Sequence, residues 1–96
     1  MKVKITVDKE EKEIELKYTI RAMMIYENIA GKTFEPAGIS EILIYFYSTV
    51  LASCKDFSVS FDDFTDYIDA NPEALNEFSD WLTKTINNTN DIRKNA

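Results

Sequence analysis

LKYTIRAMMIYENIAGKTF, residues 16–34, runs a strand directly into a helix and then stops that helix. Leu16 and Tyr18 close a run of alternating apolar residues. Thr19 is a good N-cap, because its hydroxyl can accept from a backbone N–H that the first helical turn leaves unpaired. Ala22, Ile25, Tyr26, Ile29 and Ala30 then repeat at the i, i+3, i+4, i+7, i+8 spacing of a buried helical stripe. Gly31 supplies the left-handed position that ends a helix, which a residue with a Cβ adopts only at a cost.

Upstream, Val3, Ile5 and Val7 alternate with Lys2, Lys4 and Thr6, and Ile14, Leu16 and Tyr18 alternate with Glu13, Glu15 and Lys17. Each run has the two-residue period of a half-buried strand. The charged DKEEK between them reads as the turn of an antiparallel hairpin. A two-stranded hairpin is marginal in water, so helices must cover its apolar face.

Downstream, KTFEPAG is a connector, with Pro36 and Gly38 marking the bend. A second helix is expected to start at Ser40 as N-cap, with Glu41 in its first turn. It is the most apolar element. Ile39, Ile42, Leu43, Phe46, Tyr47, Val50, Leu51 and Cys54 fill one broad face, and Ile44 and Tyr45 carry apolar character to the other side. Such a helix must be surrounded, either by the rest of the fold or in part by a partner. Ser60, with Asp63 three residues on, caps a third helix whose apolar edge is Phe61, Phe64 and Ile68. Asn71 as N-cap and Pro72 at the first helical position restart the chain. Leu75, Phe78, Leu82 and Ile86 continue the stripe with Trp81 beside it, after which NNTNDIRKNA has no apolar period. The expectation is one compact α+β domain over residues 1–88, an N-terminal β-hairpin packed on a bundle of about four helices, and a flexible polar tail over 89–96.

Composition removes several function classes. The formal charge is −6, and the lysines of the hairpin are interleaved with acids, which argues against a nucleic-acid or membrane surface. The N-terminus has no apolar signal core, and the longest apolar run, Ile42 to Tyr47, is far short of the roughly 20 residues of a membrane span. Cys54 is the one cysteine, so no internal disulfide forms and a cytoplasmic setting is expected.

Chemistry is equally constrained. The segment from Asp56 to Tyr67 has alternating oxygen ligands like a calcium loop, but Phe61 stands where that loop needs Gly and Tyr67 where it needs Glu. There is no histidine and one cysteine, so Ser48, Ser53 and Cys54 lack the usual activating base and no soft or borderline metal site of usual composition is expected. A carboxyl serving as a general acid at neutral pH needs a rise of about three pKa units, about 4 kcal/mol of environment. Asp62, Asp63, Asp66 and Asp69 instead fall on the side of the third helix away from its apolar edge, as a solvated face does. Gly31-Lys32-Thr33 follows a helix, whose C-terminus repels phosphate, so it is a stop and not a phosphate loop. Neither a catalytic residue nor a cofactor is expected.

Two surfaces remain as candidates for a partner. One is the apolar surplus of the second helix at Ile44, Tyr45 and Phe46. The other is acidic: from Asp56 to Trp81 the chain carries eight acids and no Lys or Arg. Asp62, Asp66 and Asp69 would be its centre, and it could attract a basic protein or imitate a nucleic acid. Arg21 and Glu27, six positions apart in the first helix, cannot pair along one face and are read as structural.

The hairpin, the Arg-bearing helix ending in the Y-E-x-I-x-G-K-x-F signature of Tyr26–Phe34, the apolar ISEILIYFYSTVLAS helix and the acidic-aromatic SFDDFTDYIDANPEALNEF together resemble the small tail assembly chaperones of long-tailed phages and prophages, particularly those of Bacteroides-like lineages. The resemblance implies a non-catalytic protein of the bacterial host cytoplasm. Its implied partners are the tape-measure protein and the tail-tube protein that polymerises around it, with homo-oligomers compatible with the apolar surplus. The alternative is an acidic interaction module, such as a nucleic-acid mimic or an inhibitor of a host protein.

Overall fold

A computed structural model of the chain describes residues 1–7, 9–35 and 37–94, with the side chains of Val7, Glu10 and 88–94 set aside. The N-terminal hairpin pairs β1 (Lys2–Val7) antiparallel with β2 (Glu10–Glu15), and four helices follow: α1 (Ile20–Ala30), α2 (Ile39–Ser53), α3 (Phe61–Ala70) and α4 (Pro72–Lys94). This is the α+β architecture expected.

The hairpin turns earlier than the charge pattern suggests. Val7 pairs with Glu10, and Lys9 carries the left-handed φ of 69°; Asp8 lies outside the described residues. Glu10 to Lys12 therefore belong to β2 and not to a five-residue turn. The register is set by the apolar side, where Val3 stands opposite Ile14, and a one-residue slip would turn that whole face to solvent. Val3, Ile5, Ile14 and Leu16 are all buried. The opposite face places Lys2 across from Glu15 and Lys4 across from Glu13, a charge arrangement that favours this register. Just past β2, the Leu16 amide donates to the Met1 carbonyl at 2.7 Å.

α2 is the centre of the molecule. It packs against α1, α3, α4 and β2, and Tyr45, Phe46 and Val50 have no exposed surface. The Phe46 ring stacks on Phe78 of α4, with centroids 4.3 Å apart and planes 2° from parallel, and meets Phe64 of α3 edge-on at 5.1 Å. Ser48 and Thr49 are buried without needing a distant partner: their hydroxyls donate to the carbonyls of Ile44 and Tyr45 one turn back, at 2.7 and 2.8 Å.

Helix boundaries follow the caps with one displacement. Thr19 accepts the Ala22 amide at 3.1 Å and Ser60 the Asp63 amide at 3.1 Å, as their positions predict. Helix α2, however, begins at Ile39 with Gly38 as N-cap, ahead of the expected Ser40 cap. A glycine cap costs only a few tenths of a kcal/mol against Ser, so the packing of α2 decides the boundary. Pro36, the other expected bend, lies outside the described residues. Asn71 turns its side chain backward, donating from Nδ2 to the Tyr67 carbonyl at 2.9 Å, so it closes α3 while the next helix starts at Pro72. The α4 backbone stays helical to Lys94, beyond Ile86 where the apolar stripe ends. No Gly or Pro interrupts residues 87–94, and propagation of a formed helix needs no apolar stripe. Of the expected tail, Asn95 and Ala96 lie outside the described residues. Among the described residues no helix is long and apolar enough to cross a membrane.

Candidate partner-binding surface

The signature from Tyr26 to Phe34 is a clasp that folds α1 back onto α2. Tyr26 is fully buried and donates its hydroxyl to Glu41 Oε2 on α2 at 3.4 Å. The Gly31 amide donates to the Glu27 carbonyl at 2.9 Å from a left-handed φ of 71°. Lys32 Nζ meets Glu41 Oε1 at 2.9 Å, and Glu27 Oε2 accepts the Phe34 amide at 3.0 Å. That last bond is a structural role for Glu27, as expected, and identifies its partner as the Phe34 amide. The Phe34 ring thereby stands edge-on to Tyr26 at 5.5 Å and against Tyr45 at 4.6 Å. The electrostatics agree with the geometry: hydrogen bonding to Lys32 holds the Glu41 carboxyl below its ordinary value, and Glu41 in turn raises Lys32. Burial, with the Glu41 charge adding to it, pushes the Tyr26 phenol up.

The apolar surplus expected on α2 is absent from the surface. Tyr45 and Phe46 are wholly buried, and Ile44 is half-buried and packed on the same core. A helix apolar all round is satisfied here because four other elements enclose it. The exposed apolar surface lies on α1. Ile20 is 73 % exposed, Met24 61 % and Ile29 42 %, while Ala22 and Tyr26 face inward. Ile29, expected in the buried stripe, is thus on the outside. A shallow groove on this outer face is lined by Arg21, Met24, Ile25 and Asn28. Among the described residues the other large exposed hydrophobic is Ile39, at the first position of α2. The signal for this was in the sequence: Ile20, Met23 and Met24 add apolar residues outside the stripe of Ala22, Ile25, Tyr26, Ile29 and Ala30, so α1 is also apolar on more than one face.

The acidic residues stand where the sequence puts them. Asp62, Asp66 and Asp69 are exposed on α3 with Asp63, and Glu73, Glu77 and Asp80 continue the exposed acid along α4. No group of three or more His, Cys, Asp or Glu among the described residues is placed to hold a metal ion. Cys54 is half-buried at the C-cap of α2, its amide donating to the Val50 carbonyl at 2.9 Å.

Neither a protein-family model, nor a curated protein, nor a solved structure matches the chain.

Proposed function

We propose that the protein is a non-catalytic assembly chaperone of a phage or prophage tail, acting in the bacterial host cytoplasm, that covers the apolar helical tape-measure protein until the tail-tube protein encloses it. The observation that carries this reading is the exposed apolar face of α1. Ile20 and Met24 adjoin one turn apart on α1 and are 73 % and 61 % exposed, and Ile29 is exposed at the far edge of the same helix, a concentration of apolar surface that suits a partner. The remaining surface suits a chaperone, because net charge elsewhere keeps the complex soluble. The sequence resemblance supplies the identity of the client, and α1 replaces α2 as the surface that would meet it.

The experiment is co-expression with a tape-measure protein, taken from the neighbouring genes if one is encoded there. The wild-type chain keeps the client soluble and co-purifies with it, whereas Ile20→Ser/Met24→Ser/Ile29→Ser folds normally and loses the client. Capture that is unchanged by the triple substitution, or no capture by the wild type, removes the reading.

The continuous exposed acid of α3 and α4 favours a second reading, an acidic module that occupies a basic protein surface. Binding to a DNA-processing protein that DNA competes away would select it over the first.

A further inference from the structure

The fold closes one edge of the hairpin and leaves the other open. Val7 pairs with Glu10 at the turn, and at the far end the Leu16 amide bonds back to the Met1 carbonyl. Bonded pairs alternate along an antiparallel ladder. Lys12 and Ile14 therefore direct their backbone groups to β1, while the amides and carbonyls of Glu11, Glu13 and Glu15 point away from it. Two side-chain bonds fix the same phase. The Lys17 amide, next in the outward series, donates to Ser53 Oγ at 3.3 Å, and on β1 the outward Lys4 carbonyl accepts from the Tyr67 hydroxyl. Helix α3 packs along β1 and closes that edge. Among the described residues nothing bonds the outward backbone groups of Glu11, Glu13 and Glu15.

The side chains of these residues decide what can pair with the edge. All three are exposed and, standing two apart, carry their carboxylates on one face of the strand. A second copy of β2 laid antiparallel about Glu13 sets glutamate against glutamate at every outward position, and like charges directly opposite are destabilising. The β1 of a second copy has suitable lysines, but its edge is taken by α3. What β1 does inside the hairpin shows the chemistry that fits: Lys2 stands opposite Glu15 and Lys4 opposite Glu13. Glu11 faces Thr6 and makes no ion pair among the described residues, and Glu13 meets Lys2 only at 4.0 Å, so the row has capacity for further cations.

We propose that the β2 edge binds an extended basic segment of another protein as an added strand, bonded to the backbone of Glu11, Glu13 and Glu15, with Lys or Arg at alternate positions over their carboxylates. Strand addition of this kind draws affinity from main-chain bonds and selectivity from alternate side chains. The surface uses none of the exposed apolar residues of α1, and the proposal holds whether or not the chain is a chaperone.

The probe is a short capped peptide alternating lysine with valine, titrated into the full, isotope-labelled chain. Amide exchange should slow at Glu11, Glu13 and Glu15 and stay unchanged at Lys12 and Ile14, whose amides β1 already holds. N-methylation separates strand addition from charge attraction, because both methylated peptides keep their charge. In the proposed pairing the lysine amides face β2 and the valine amides face away. Methylating the lysine amides should therefore weaken binding at least tenfold, and methylating the valine amides should leave it nearly unchanged. Glu11→Lys, at a position with no cation to lose, should weaken the unmethylated peptide about fivefold, with circular dichroism verifying the fold, and a peptide alternating glutamate with valine should not bind the wild type. Equal binding by the two methylated peptides, protection away from the three glutamates, or no binding at millimolar peptide overturns the proposal. None of these outcomes bears on capture of the tape-measure protein, so the two readings fail separately.

Discussion

Replacing Tyr45 by Phe should make the protein more stable, although it removes a polar group from the centre of the fold. The Tyr45 side chain is fully buried, and its hydroxyl has no hydrogen-bond partner. Thr49 Oγ1 lies near enough to favour the phenolate slightly, but its proton goes to the Tyr45 carbonyl at 2.8 Å and the contact falls outside hydrogen-bonding geometry. Burial dominates and pushes the phenol well above its ordinary value. A buried donor left unsatisfied costs about 1–3 kcal/mol relative to water. The ring itself is well used, lying 4.6 Å from Phe34, 5.9 Å from Phe78 and 6.1 Å from Tyr26 between centroids, and Phe keeps all of these contacts. The expected gain is about 1 kcal/mol, the low end of that range because the vacated space is not refilled. In a domain of this length that raises Tm by about 4–8 °C. Urea unfolding should show a higher midpoint with an unchanged slope, since the surface exposed on unfolding is the same. Tyr47→Phe is the control of opposite sign, because its hydroxyl donates to the Val59 carbonyl at 2.6 Å and its loss should cost about 1 kcal/mol. A Tyr45→Phe variant less stable than wild type by about half a kcal/mol or more would falsify the reasoning, for the hydroxyl would then have a partner in solution.

Gly31→Ala should cost about 1 kcal/mol from the backbone alone, because φ is 71° but a Cβ there meets nothing within 4 Å; Gly31→Asn should recover part of the loss in the same thermal melt. Glu27→Ala should cost a similar amount by freeing the Phe34 amide, and amide exchange at Phe34 should quicken more than at Val50. The Lys32–Glu41 pair gives a pH signature. The Glu41 pKa is lowered on folding, so its contribution is full above the ordinary carboxylate value of 4.5 and is lost as pH falls through the lower folded-state value. The Lys32 pKa is raised, so its contribution is full below 10.5 and is lost as pH rises through the higher folded-state value. The Tm difference between wild type and Lys32→Met should accordingly be level from about pH 6 to 9 and vanish in strong acid; a difference that persists there means the lysine acts through its packing.

Local signals were legible wherever a residue acts on its own backbone. Thr19 and Ser60 cap with their hydroxyls, Gly31 takes the left-handed stop because it has no Cβ, and the hairpin face is read from period alone. What could not be read is which of two over-apolar helices lies inside. Both α1 and α2 exceed a single stripe, but a domain this small has room to enclose one of them on every side. The choice falls to α2 through aromatic partners, Phe64 and Phe78, that are distant in the chain. Tyr45 and Phe46 therefore went inward and Met24 and Ile20 stayed out. The Gly38 cap was hidden for the same reason, since packing and not a capping hydroxyl sets where α2 begins. The partner of Glu27 could not be read, because the Phe34 amide comes near only after Gly31 has turned the chain.

The Tyr67 hydroxyl of α3 donates to the Lys4 carbonyl of β1 at 2.5 Å, across 63 positions of sequence. That carbonyl belongs to the outer edge of the hairpin, the side a neighbouring strand would otherwise occupy. During synthesis the hairpin leaves the ribosome before the helices that close it, so for a time its edge stays open and its apolar face uncovered. For that interval the nascent chain carries a template for strand pairing with other chains, and loop-closure entropy delays its burial. The alternating Lys and Glu on its solvent face guard the growing polypeptide against such encounters before the finished protein has any need of them.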